Sequence, residues 1–139
     1  MFNPAYHPNG NNIVLTLTEN DTDIFTHDKS GKALASVIDS TGEDRLARFS
    51  PVNNTIAFVS LRSGKQQVFL KKEQEEIRVY ENSENLPIYS SPIWSNSGDK
   101  IAFAFAQRLF IYTLSDKSLN EITMPESFTA VLDLSLIHI

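Results

Sequence analysis

The 139-residue chain contains no cysteine, and that absence removes disulfides, thiol nucleophiles and cysteine-ligated zinc together. No apolar run approaches the roughly 20 residues that a membrane-spanning helix needs, so no membrane span is expected in this segment. Glycine is sparse. Gly10, Gly31, Gly42, Gly64 and Gly98 form no G-x-S-x-G nucleophile elbow, no G-x-G-x-x-G loop and no P-loop. Positive charge is thin as well: 12 Lys and Arg stand against 17 Asp and Glu, for a net charge of −5, and Lys71-Lys72 is the only adjacent basic pair. Phosphate binding needs concentrated Lys and Arg, so direct nucleic-acid binding by this segment is not expected. The stretch Met1 to Pro8 has no basic patch followed by an apolar run, so it shows no signal peptide.

Histidine is scarce too. His7, His27 and His138 form no i,i+4 pair and do not fall beside carboxylates at ligand spacing. The acidic group Glu73, Glu75, Glu76, Glu81 and Glu84 lacks the ordered Asp/Asn/Gly loop of a calcium site and reads as a solvated edge strand. Accordingly, no catalytic residue, cofactor-binding residue, cofactor or metal ligand is expected.

What the chain does have is a repeat. Hydrophobic residues make up 41% and charged residues 21%, an ordinary balance for a folded domain. Three segments align: Ala5-Tyr6-His7-Pro8-Asn9-Gly10 leading to Ile13, Arg48-Phe49-Ser50-Pro51-Val52-Asn53 leading to Ile56, and Ile93-Trp94-Ser95-Asn96-Ser97-Gly98 leading to Ile101. From Tyr6 to Phe49 is 43 residues and from Phe49 to Trp94 is 45, and the isoleucines keep the same spacing. Two anchors in one register make coincidence a poor explanation.

Each unit follows one grammar. An aromatic closes a short strand, a polar turn follows, and an apolar strand resumes. A second polar break leads to a third strand: Ile24-Phe25-Thr26, Val68-Phe69-Leu70, then Leu109-Phe110-Ile111-Tyr112. A fourth closes the unit, at Leu34 to Ile38, Ile77-Arg78-Val79 and Glu121-Ile122-Thr123. Four short strands in about 40–45 residues match a propeller blade. The stretch Ile101-Ala102-Phe103-Ala104-Phe105 is bulky on one face and small on the other, with the period of two that strands impose. Being apolar on both faces, it must be covered on both. Lys71 to Arg78 is built from good helix formers, but the repeat register puts a hairpin turn near Glu73-Gln74-Glu75. At these positions Trp94, equivalent to Tyr6 and Phe49, reads as a packing residue.

The expected fold is all-β: a partial β-propeller, three four-stranded antiparallel blades of a larger ring. The expected boundaries are blades at about 1–43, 44–87 and 88–129, with a fourth starting at 130–133, so that residues 1–133 form the partial propeller. The tail Leu134-Ser135-Leu136-Ile137-His138-Ile139 gives no aromatic where the fourth unit calls for one near position 134. It resembles the translation of a sequencing-library adapter, and 134–139 is expected to be an artefact outside the natural gene. The remaining partners of the three blades are then the missing blades of the same chain.

Phe49-Ser50-Pro51-Val52-Asn53-Asn54-Thr55-Ile56-Ala57-Phe58 resembles the aromatic-Ser-Pro-Asp-Gly-Lys-x-Ile-Ala-Phe signature of TolB-like propeller repeats. Trp94 to Phe103 resembles it too, and Tyr6-His7-Pro8-Asn9-Gly10 does so more loosely. The departures are His7 for Ser, Val52-Asn53 for Asp-Gly and Asn96 for Pro. The resemblance implies a fold more than a function. Such blades occur in TolB, a periplasmic protein of the bacterial cell envelope, in the sensor half of CadC-like winged-helix transcriptional regulators, and in the gating propeller of prolyl-oligopeptidase-family serine peptidases. It therefore implies a non-enzymatic protein-interaction or sensor module and a periplasmic location. The peptidase alternative would place the catalytic domain in sequence outside this chain. A protein partner or small ligand is expected at the loops of one propeller end: Glu19 to Asp23, Ser40 to Asp44, Ser60 to Gln66, Asn85 to Ser91 and Met124 to Ser127.

Overall fold

The computed structural model describes residues 4–18, 22–28, 30, 32–38, 42–81, 88, 91–105 and 108–123. The expected fourth unit at 130–133, the tail 134–139, His138, Glu84 and the loop Met124 to Ser127 lie outside the described residues. Twelve strands are present among them. They are β1 (Ala5–Tyr6), β2 (Asn12–Thr18), β3 (Thr22–Asp28), β4 (Ala33–Ile38), β5 (Asp44–Phe49) and β6 (Ile56–Ser60), then β7 (Gln67–Lys72), β8 (Glu75–Tyr80), β9 (Ile93–Trp94), β10 (Lys100–Phe105), β11 (Arg108–Thr113) and β12 (Ser118–Thr123). They form three four-stranded sheets, β1 to β4, β5 to β8 and β9 to β12, each in simple meander order. Every pairing is antiparallel. No described helix is long and apolar enough to cross a membrane.

The repeat register survives in three dimensions. Tyr6 pairs with Ile13, Phe49 with Ile56 and Trp94 with Ile101. The aromatic and the isoleucine thus occupy one cross-strand position in three successive sheets. The connections share one closing bond: the N–H of His7, Ser50 and Ser95 donates to the carbonyl of Asn12, Thr55 and Lys100, at 2.8, 2.8 and 2.9 Å. His7 replaces a serine without changing the turn. Its Nδ1 accepts the Asn9 N–H at 3.1 Å, just as Ser50 Oγ accepts the Val52 N–H at 3.3 Å.

The sheets stack in chain order, with the middle one covered on both faces. Alternation decides which residue goes where. Ile56 and Phe58 of β6 join Val14, Ile24 and Ile38 of the first sheet, whereas Ala57 and Val59 join Ile101, Phe103, Phe110 and Tyr112 of the third. All five residues of β6 are buried. In β10 the bulky residues Ile101 and Phe103 face the middle sheet, and the small face, Ala102 and Ala104, clusters with Ile93, Leu109 and Ile111. Phe103 and Phe110 stack at 5.4 Å, and Tyr80 of the middle sheet reaches both rings at 5.6 and 4.7 Å. Burying such a side chain contributes about 1.5–3 kcal/mol.

Two local features shape the middle sheet. In β5, Arg45 pairs with Val59 but Arg48 with Ala57, so Leu46 and Ala47 together oppose Phe58. This bulge holds Leu46 at φ 58° and turns Leu46 toward the third sheet while Ala47 faces the first. The helix-forming stretch 71–78 is a hairpin: Lys72 pairs with Glu75 across Glu73-Gln74. Packing of Ile77 and Val79 into the core outweighs the local preference for helix.

Candidate loop-end site of the middle sheet

The meander sends the connections β2–β3, β6–β7 and β10–β11 to one end of the sheets, together with the connections that lead from one sheet to the next. The turns Pro8 to Asn11, Pro51 to Asn54 and Asn96 to Asp99 lie at the opposite end. At the first end the structure describes Gly42 to Asp44, Ser60 to Gln67, Ile88 and Ser91. Glu19 to Asp21, Ser40 to Thr41, Asn85 to Pro87 and residues 89–90, parts of the loops expected to bind, fall outside the described residues.

These segments are locked together. Leu61 N–H donates to the Glu43 carbonyl at 2.7 Å. A Cβ on Gly42 would sit 2.6 Å from the Arg62 backbone nitrogen, so only glycine permits this approach. Ile88 is fully buried. Its N–H donates to Gln66 Oε1 at 2.6 Å and its carbonyl accepts from Arg45 at 3.1 Å. Two side chains thus satisfy both backbone groups of one residue of the connection to the third sheet.

Arg62, in a short 3-10 turn (Arg62–Gly64), is the hub. Its guanidinium lies over the Phe69 ring at 4.3 Å, donates to Ser60 Oγ at 2.9 Å, and reaches Asp44 at 3.5 Å and Glu76. Lys71 also pairs with Glu76, at 3.6 Å. Asp44 and Ser60 are both 0% exposed and Gln67 4%. Asp44, Ser60 and Arg62 lie in segments expected to bind, but their meeting with Gln67 is not visible in the sequence, because it comes only through cross-strand register. Asp44 closes one of those segments and Ser60 opens the next; what they do is hold the loop in place.

Other candidates are placed elsewhere. His7 is buried in its turn with its ring 4.6 Å from Phe49, and His27 lies in β3 of the first sheet. No cluster of three or more His, Asp or Glu able to hold a metal ion occurs among the described residues. The acidic group is spread along β8: Glu75 and Glu81 are about 20 Å apart at 3.3 Å per residue, Glu76 pairs with Arg62, and Glu81 pairs with Arg78 at 3.5 Å. Trp94 packs into the core between the middle and third sheets and donates its indole N–H to the Arg48 carbonyl at 3.0 Å. Carboxylates at the turn end are held below the ordinary range. Asp99 is lowered by hydrogen bonds from Ser97, Ser95 and Lys100, and Asp28 chiefly by Ser30 and the Lys32 N–H.

Chain-consecutive antiparallel meanders, stacked face to face with their aromatic turns in equivalent places, define a partial β-propeller. Solved structures agree. The chain is similar to a structure assigned to TolB of Agrobacterium tumefaciens, at 18% identity and a TM-score of 0.73, over 87% of this chain and 48% of that one. It is similar to TolB of Acinetobacter baumannii at 19% identity and a TM-score of 0.64, over 87% of this chain and 32% of that one. It also matches the β-propeller domain of the Trilobed protease of Pyrococcus furiosus at 16% identity and a TM-score of 0.66, over 91% of this chain and 43% of that one. No family model and no curated protein matches the sequence. The chain spans about half, or less, of the length of each of these structures, and at such identities the likeness shows the fold alone.

Proposed function

We propose that the chain is a non-enzymatic propeller module for protein interaction or sensing, belonging to a bacterial winged-helix transcriptional regulator or a TolB-like envelope protein, with a periplasmic location. In this reading residues 1–133 belong to one larger ring, with blades at 1–43, 44–87 and 88–129 and a fourth begun at 130–133. The observation that carries it is the loop end of the middle sheet, where Gly42 to Asp44, Ser60 to Gln67 and Ile88 are fixed against one another by backbone and side-chain bonds. A rigid frame under polar loops is how propellers present a recognition surface. A photo-crosslinking residue at Lys65, in the loop, tests it in the native host. A defined adduct from Lys65 and none from Asn54 in the opposite turns is expected; adducts only from Asn54 would overturn the assignment of the surface.

The likeness to a protease propeller domain supports a second reading, an accessory propeller of a serine peptidase. Flanking coding sequence separates the two. A winged helix and one apolar span upstream support the regulator, a signal peptide with an α/β domain upstream supports TolB, and a G-x-S-x-G elbow downstream supports the peptidase.

A further inference from the structure

Asp44, Ser60 and Gln67 are direct cross-strand neighbours on β5, β6 and β7, so their side chains line up on one face of the middle sheet, the face that Phe58 shares with the first sheet. All three are buried. Arg62 takes one carboxylate oxygen of Asp44 and the Ser60 hydroxyl, and the Gln67 amide nitrogen donates to the Arg62 carbonyl at 3.4 Å. Two enclosed acceptors have no partner: Asp44 Oδ2 and Gln67 Oε1. Buried acceptors are almost always satisfied, and two orphans on one face of the sheet point to a small donor.

We infer that Asp44, Ser60 and Gln67 enclose a binding site for one small neutral molecule that donates two hydrogen bonds, a water molecule in ordinary solution. Charge selects neutrality. Asp44 is balanced by Arg62 and Glu76 by Lys71, so the four charges cancel and a cation brought beside the Arg62 guanidinium would be repelled. Number selects a double donor, since two acceptors remain and water has two hydrogens. Ser60, between them in the register, supplies a hydroxyl to hold the guest from beneath. The site joins the connection that enters the middle sheet, through Asp44, to the loop 61–66, through Gln67 and Arg62. Its occupant would therefore help fix the loop-end frame whatever that frame recognises.

A crystal structure of the 139-residue chain at about 1.5 Å or better tests this. The expected result is a density peak roughly 2.6–3.1 Å from both Asp44 Oδ2 and Gln67 Oε1, lost in Gln67→Met while the Arg62–Asp44 pair stays. A Gln67 amide turned to donate directly to Asp44, with no peak, overturns the inference. So does a peak with short contacts of roughly 2.3–2.6 Å to six or more oxygens, which would mark a cation. Should Gln67→Met fail to fold, Asp44→Asn serves in its place: the peak should remain, accepting from the new amide and donating to Gln67 Oε1, whereas loss of the peak would mark a direct bond or a cation deprived of its charged ligand and would overturn the inference.

Discussion

Trp94 donates its indole N–H across the sheet boundary to the carbonyl of Arg48, 3.0 Å away. The third unit's aromatic is therefore anchored on β5, the second unit's first strand, much as Phe49 meets the ring of His7 in the unit before it.

Trp94→Phe keeps a ring in place and deletes that donor. The Arg48 carbonyl then loses its cross-sheet partner, and the expected loss is about 1 kcal/mol, read as a lower urea midpoint with an unchanged slope. Trp94→Ala, which also removes the packing against the middle sheet, should cost about 3 kcal/mol or more.

Gly98 sits at φ 73°, and a Cβ there would lie 2.4 Å from Val52 Cγ2 and 3.1 Å from Ser50 Oγ. Gly10, the equivalent residue of the first turn, has φ 71° and open space around it. Gly10→Ala should therefore cost about 1 kcal/mol for the left-handed backbone alone, and Gly98→Ala about 2 kcal/mol or more. Val52→Ala in the Gly98→Ala background should recover the difference, because Val52 is 59% exposed and contributes little itself. Denaturation of the four proteins checks this; equal costs at Gly10 and Gly98 would contradict the close contact between turns.

Arg62→Met preserves contact with Phe69 but leaves the Asp44 carboxylate buried without its counter-charge. Breaking such a pair from one side costs about 3 kcal/mol, and amide exchange in 61–66 should accelerate with it. Arg62→Lys should recover only part of the loss, since a single ammonium cannot serve Ser60, Asp44 and Glu76 together.

Asp28, Asp99, Asp116 and Glu121 are all lowered below their ordinary range: Asp28 by Ser30, Asp99 by Ser97 and Ser95, Asp116 by Ser118, Glu121 by Arg108. In the unfolded chain these groups take up protons at higher pH than in the folded one. Their contribution is thus complete above about pH 5 and drains away as pH falls through the ordinary carboxylate range and below. Urea midpoints should be level between pH 6 and 8 and fall steadily below pH 4. Asp99→Asn should flatten that fall, and an unchanged acid limb would argue against the turn bonds from Ser95 and Ser97.

The fold was legible in the sequence because its signal repeats: the aromatic–isoleucine spacing at Tyr6/Ile13, Phe49/Ile56 and Trp94/Ile101 reports a register that three sheets share. Alternation in Ile101 to Phe105 likewise foretold a strand with apolar residues buried on both faces, as Ile101, Ala102 and Phe103 are. The loop-end cluster was illegible for the opposite reason. Asp44, Arg62 and Gln67 have no counterpart at the same repeat position to draw attention to them, and an arginine in a polar break looks like any solvated loop residue until Phe69 and Glu76 are brought beneath it. The bulge at Leu46 was hidden too, since a branched aliphatic residue carries no local preference for positive φ.

The aromatic handed back from each unit to its predecessor has an evolutionary corollary. A duplication or recombination joint placed neatly between sheets, near position 91, would part Trp94 from the Arg48 carbonyl that receives it and Gly98 from the turn it abuts. A joint before Arg48 or after Gly98 would leave both contacts on one side of it. The stretch from Arg48 to Gly98 is therefore the least that must stay whole if both contacts are to be inherited together.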